Sequence, residues 1–158
     1  VEAEIDRLMN IKGKRSVDSI HKELGHIMWE HVGMGRNKKG LEEGLELLKK
    51  LRKEFNTNLF IPGEKEGLNI ELDKAIHLRD FIIMGELIAY DALHREESCG
   101  GHFREEHQTE EGEAKRDDEH FFYVGAWEYQ NNDETAPVLN KEPLEYEIIK
   151  VQTRNYKN

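Results

Sequence analysis

Cys99, His102 and His107, with Glu105 and Glu106 among them, form the densest set of potential metal ligands in the chain. Thiolate and imidazole donors suit zinc, but a structural zinc site draws four ligands from paired motifs, and no second pair accompanies this set. Cys99 and His102 could instead act as nucleophile and base, yet no third group that would orient the histidine is identifiable. Glu23 and His26 make a Glu-x-x-His unit. Di-iron bundles need two such units and a Glu from each of two further helices, and no second unit is found. His21, His26 and His31 are five residues apart, so each helical step turns the next one by roughly 140° net and the three cannot share an ion. Gly33-Met34-Gly35 follows a helical stretch rather than a strand, which is the wrong context for a dinucleotide phosphate loop. The residues themselves lead to no metal and no nucleotide site.

The elements that would position these groups follow from apolar spacing. From Ser16, a suitable N-cap, Val17, Ile20, Leu24, Ile27 and Met28 recur at three and four until Gly33 and Gly35 end the helix. Leu41, Leu45, Leu48, Leu51 and Phe55 make a second stripe that stops near Asn56, before Pro62 and Gly63. Asn69 can cap a third and longest helix, with Glu71 and Asp73 at the positive end of its dipole. Its apolar residues continue to Leu93, and the spacing predicts that it runs to Ser98 with Leu72, Ile76, Ile83 and Leu87 facing inward. A short helix over Glu2 to Met9 precedes the set. The fold class read from this is mainly α: an antiparallel three-helix bundle of spectrin-repeat type over residues 1–100, then an irregular charged arm and a small β element over 101–158.

The arm is compositionally distinct. Arg95 to Glu119 holds ten acids against four bases and almost nothing apolar except Phe103. Such a segment is expected to need another surface to order it. Phe121 to Tyr129 reads as a strand, with Ala136 to Leu144 or Ile148 to Val151 as partner across the Asn131-Asn132-Asp133 turn.

The whole chain has 158 residues, with 23 Lys and Arg against 33 Asp and Glu and a formal net charge of −10. That excess opposes a phosphate backbone, so nucleic acid is not an expected partner. The longest apolar stretch, Phe81 to Tyr90, is far short of the roughly 20 residues that a membrane span needs, so direct membrane insertion is not expected. A single cysteine cannot make an internal disulfide, and nothing at the N-terminus is laid out as a signal peptide, which fits a reducing compartment. A start at Val1 inside a charged amphipathic stretch suggests a fragment of a longer polypeptide.

Arg95-Glu96-Glu97-Ser98-Cys99-Gly100-Gly101-His102-Phe103-Arg104, with Arg116-Asp117-Asp118 after it, resembles the C-terminal region of the flavoprotein subunit of succinate dehydrogenase and fumarate reductase, to which the L-aspartate oxidases are related. That family carries Arg-x-Glu-Ser-Arg-Gly-x-His-x-Arg here, so Arg95, Glu97, Ser98, Gly100, His102 and Arg104 match and Cys99 replaces the usual Arg. Residues 21–41 resemble the family's first bundle helix and the turn after it, and residues 141–157 its C-terminus. The resemblance implies a parent oxidoreductase in which FAD exchanges a hydride between succinate and fumarate, with FAD and substrate residues in preceding FAD-binding and capping domains. It implies no catalytic and no cofactor-binding residue in this chain. It further implies docking on those domains through Arg95, Glu97, Ser98, His102, Arg104, Arg116 and Asp117, a nearby iron-sulfur subunit that passes electrons to membrane quinone, and a cytoplasmic location at the inner face of the membrane through partner subunits. A free-standing acidic helical binding module is the alternative reading.

Overall fold

The computed structural model describes residues 1–131, 135–149 and 151–152. Helix α1 (Glu2–Asn10) leads into a two-residue strand β1 (Arg15–Ser16), helix α2 (Val17–Val32), strand β2 (Gly35–Arg36), helix α3 (Lys38–Asn58) and strand β3 (Leu59–Phe60). Helix α4 (Ile70–His94), strand β4 (Phe103–Arg104), one turn of helix α5 (Asp118–Phe121) and the hairpin strands β5 (Tyr123–Glu128) and β6 (Val138–Pro143) complete the described elements. About half the chain is helical, and the fold is mainly α with small sheets.

Local chemistry accounts for the helix starts. Ser16 accepts the Ser19 N–H at 3.2 Å, Asn37 the Gly40 N–H at 2.8 Å and Asn69 the Leu72 N–H at 3.0 Å, each satisfying a donor that the first turn leaves without an intrahelical partner. Each of α2, α3 and α4 packs on the other two. Their directions alternate: β1, just before α2, pairs in parallel with β3, just after α3, while Lys74 early in α4 reaches Asp18 early in α2 at 3.2 Å. The core between them includes Ile20, Leu24, Leu48, Phe55, Leu78 and Ile82, and Leu8 brings α1 into it.

Two expectations for the third helix are corrected. It ends at His94, not Ser98, because Arg95 leaves helical geometry at φ −88° and ψ 92° and the residues after it are drawn into the arm. The inward stripe also differs: Leu72 is buried, Ile76 and Leu87 are only half-buried, and Ile83 is 50% exposed. The face toward α2 and α3 is instead Leu72, Ala75, Leu78, Ile82, Gly85, Ala89 and Ala92. Large apolar residues such as Phe81, Ile83, Met84 and Ile88 also lie on its exposed faces, and its small residues are what admit close neighbours. A Cβ at Gly85 would lie 3.1 Å from Met28 Sδ and 3.5 Å from Leu24 Cδ1, so α2 approaches there because no side chain is present.

The C-terminal β element pairs β5 with β6 antiparallel, from Tyr123 opposite Pro143 to Glu128 opposite Val138. The first of the two expected partners is the one used; Ile148 and Ile149 are exposed. Of the expected turn, Asn131 adopts φ 62°, and Asn132 and Asp133 lie outside the described residues. The hairpin is anchored to the end of α4: Trp127 Nε1 donates to Asp91 Oδ1 at 2.7 Å, and its ring meets those of Tyr90 and His94 edge-on at 5.0 and 5.4 Å.

Candidate functional site

The arm folds onto the C-terminus of α4 around Arg104, whose residue surface is 1% exposed. Arg104 Nη1 donates to the carbonyls of Ala92 at 2.9 Å and Leu93 at 3.1 Å. These lie in the last turn of α4, where carbonyls have no intrahelical donor and the dipole favours a cation. Its Nε donates to Glu106 Oε2 at 3.2 Å, and its backbone N–H donates to Ser98 Oγ at 2.8 Å. The Ser98 hydroxyl donates in turn to the Arg104 carbonyl at 3.2 Å.

Glu97, 3% exposed, is the acidic counterpart. Its Oε1 accepts from Arg95 Nη1 at 2.6 Å and its Oε2 from the backbone N–H of Asp117 at 2.9 Å. A buried carboxylate so paired fixes both ends of the arm at once. Arg95 extends the set to the hairpin, donating to the carbonyls of Phe121 at 3.3 Å and Tyr123 at 3.2 Å, with its guanidinium over both rings at 5.8 and 5.2 Å. The segment was expected to need another surface to order it, and the end of α4 and the turn after α2 supply one: the partners of its buried Glu97, Ser98 and Arg104 lie within the arm and on the last turn of α4.

His102 links the arm to the turn between α2 and α3. Gly100, at φ +60°, allows the tight reversal in which Cys99 and His102 exchange backbone hydrogen bonds of 2.8 and 3.0 Å. Arg36 Nη1 lies 2.8 Å from His102 Nδ1, and His102 Nε2 lies 2.9 Å from the Arg95 carbonyl. A guanidinium can only donate, so Nδ1 accepts and the proton sits on Nε2, in the neutral tautomer. Burial, together with the charges of Arg36, Arg104 and Arg95, pushes the imidazole below its ordinary value.

The sign of that effect is definite: the unfolded chain takes up the proton first as pH falls, so stability present above the unfolded pKa of about 6.5 declines below it until the folded pKa is passed. Urea midpoints measured at about pH 7.5 and 5.5, on either side of that unfolded value, should fall more for the native chain than for His102→Gln. An equal fall in both would show that His102 does not titrate in this way.

Arg36, Asn37 and Asp91 were not identified from sequence. Arg36 Nε donates to the carbonyls of Val32 at 3.2 Å and Gly33 at 2.9 Å, closing α2 as Arg104 closes α4. A basic residue just past a Gly-terminated helix is the one sequence signal that points to it. β2 pairs in parallel with β4, Arg36 opposite Arg104, and Asn37 Nδ2 donates to Glu105 Oε2 at 2.8 Å. Glu106 Oε1 accepts the Lys38 N–H at the start of α3. Its partial burial works against the charged form, but that bond and Arg104 hold its carboxyl below the usual range.

The other candidates separate. Both His102 nitrogens, Glu105 and Glu106 are committed to the partners above, and Glu23 pairs with Arg15 at 2.7 Å. Among the described residues no group of three or more His, Cys, Asp or Glu is placed to hold a metal. The N-terminus of α3 does not fit a flavin phosphate either, since the Lys38 and Gly40 N–H groups are taken by Glu106 and Asn37. Among the described residues no helix is long and apolar enough to cross a membrane.

Arg116 and Asp117 lie at the rim. Asp117 caps α5, accepting the His120 N–H at 3.2 Å and facing His120 Nδ1 at 2.9 Å. Arg116 Nη2 donates to Asp118 Oδ1, while its buried Nε has no partner among the described residues. Of the seven residues expected from sequence to act together, Glu97, Ser98 and Arg104 are thus interior, and Arg95, His102, Arg116 and Asp117 are half-buried.

The family described as fumarate reductase flavoprotein C-term matches residues 21–156, and the chain belongs to that family. It is 30% identical over 151 residues to the fumarate reductase flavoprotein subunit of Proteus vulgaris, covering 96% of this chain and 23% of that protein. It is 28% identical over 102 residues to an uncharacterized FAD-dependent oxidoreductase of Methanocaldococcus jannaschii, covering 65% of this chain and 18% of that one. The chain therefore spans about a fifth of the length of these relatives. In fold it is similar to a quinol-fumarate reductase with menaquinol molecules, at TM-score 0.79 and 24% identity over 94% of this chain and 25% of that one. Adenylylsulfate reductase from Archaeoglobus fulgidus has the same fold at TM-score 0.73 and 19% identity over 95% of this chain and 24% of that one.

Proposed function

We propose that this chain is the C-terminal helical domain of the FAD-dependent flavoprotein subunit of a succinate dehydrogenase or fumarate reductase, with a structural and docking role. The observation that carries the reading is the family match over residues 21–156, which includes the whole arm. In this reading residues 1–100 are an antiparallel three-helix bundle and residues 101–158 a charged arm with a β hairpin. The bundle and arm pack on FAD-binding and capping domains of the same polypeptide and lie near an iron-sulfur subunit, at the inner face of the cytoplasmic membrane through partner subunits. FAD and the dicarboxylate belong to those other domains. Arg104, Glu97 and Ser98 shape the docking surface from behind, Arg95 and His102 brace it, and Arg116 and Asp117 meet the neighbour. Trp29, Phe81, Ile83, Met84 and Ile88, all exposed on α2 and α4, supply apolar area of the sort that a covering domain buries.

The test is a visible spectrum of the purified chain and a fumarate-reduction assay with reduced viologen. A colourless protein with turnover at blank level is expected. A yellow protein with bound FAD, or turnover above blank, would overturn the assignment of chemistry to other domains.

A further inference from the structure

A cavity of about 590 Å³ opens on the outer side of the arm, lined in part by Glu96, His107, Lys115, Arg116, Asp117 and His120. Its volume is within the range of small-ligand sites, and Phe121 gives it an apolar wall. The two carboxylates differ. Asp117 is already committed to the start of α5 and to His120, whereas Glu96 is exposed and has no hydrogen bond or ion pair among the described residues. The two fixed cations differ as well. Arg116 uses Nη2 on Asp118 and leaves Nε and Nη1 without acceptors among the described residues, Nε being buried. A buried guanidinium donor without a partner is an incomplete arrangement in an otherwise satisfied arm.

We infer that this cavity binds a small oxyanion, a carboxylate or a phosphate, seated on the Nη1 end of Arg116 with Lys115 as the second positive charge. Arg presents paired N–H groups that match two oxygens of either ligand. His107 and His120 stand at the wall, and Glu96 limits the affinity by placing a like charge in the same space. The site shares Arg116 and Asp117 with the proposed docking surface, so a neighbouring domain seated there would cover it.

The experiment titrates the 158-residue chain with malonate and, separately, with inorganic phosphate at constant ionic strength, following amide and histidine ring NMR signals. Saturable shifts confined to residues around His107, Lys115, Arg116 and His120 are expected for at least one of the two anions, and the tighter of them names the ligand class. Arg116→Lys keeps the charge but loses the fork and should weaken binding about tenfold or more, a difference of about 1.4 kcal/mol or more. Glu96→Gln should tighten it several-fold. No saturable shift with either anion, or Glu96→Gln binding no tighter than the native chain, would overturn the inference. The melting temperatures of both variants establish that they are folded. Because bound FAD or fumarate turnover is not read in this titration, its failure leaves the docking role standing.

Discussion

Arg104→Ala is expected to destabilise the chain by about 3–5 kcal/mol, through buried carbonyls left without donors and the void left by the side chain. The carbonyls of Ala92 and Leu93 would lose the guanidinium that serves both. The Glu106 ion pair adds little, because that carboxylate is 40% exposed and screened. Arg104→Lys should recover only part of the loss, since one ammonium on a flexible stem cannot reproduce the fork. Urea unfolding of the three proteins decides the matter; a loss under about 1 kcal/mol, within the scatter of ordinary substitutions, would mean that the arm does not depend on this side chain.

The second large effect separates two adjacent isoleucines of α4. Ile82 is 1% exposed and Ile83 50% exposed. Ile82→Ala should cost about 2–5 kcal/mol, the usual range for truncating a core aliphatic. Ile83→Ala should cost less than about 1 kcal/mol, near the level of a surface change. Chemical denaturation of both variants side by side checks the register of the helix by its ratio, which is insensitive to errors common to the two. Equal losses, or the reverse order, would place the wrong face inward.

Why that register was illegible from sequence is instructive. Apolar periodicity assigns the core to the bulkiest residues, and Ile76, Ile83 and Leu87 satisfy it on α4. The face that packs carries Ala75, Gly85, Ala89 and Ala92, which score poorly as hydrophobes yet let α2 and α3 approach. On α2 and α3, where one face is plainly polar, the same method located Val17, Ile20, Leu24, Ile27, Leu41, Leu48, Leu51 and Phe55 in the core. The caps at Ser16 and Asn69 were equally legible, because capping is a local matter of residue type and position.

The arm was legible as a motif and not as a structure. Ten acids against four bases suggested a solvated segment, since composition does not reveal that Glu97 will meet the Asp117 N–H twenty residues on. Nor does it reveal that Arg104 will reach back to a helix end. Arg36 and Asn37 escaped notice for a related reason. Their partners are 66 and 68 residues away, beyond any window in which spacing carries information.

That separation has a kinetic side. The turn after α2 and strand β4 meet only when a loop of 68 residues closes, from Asn37 to Glu105. Closing it costs ~3–4 kcal/mol in chain entropy by the logarithmic law for flexible loops, before any contact there gives a return. The helices between are made of near-neighbour contacts and incur no such cost. Formation of α2, α3 and α4 is therefore the event that shortens the effective loop, and the arm locks afterwards. By the same token the Arg36–His102 junction is expected to form after the helical core, since its two sides are brought together by the packing of the helices between them.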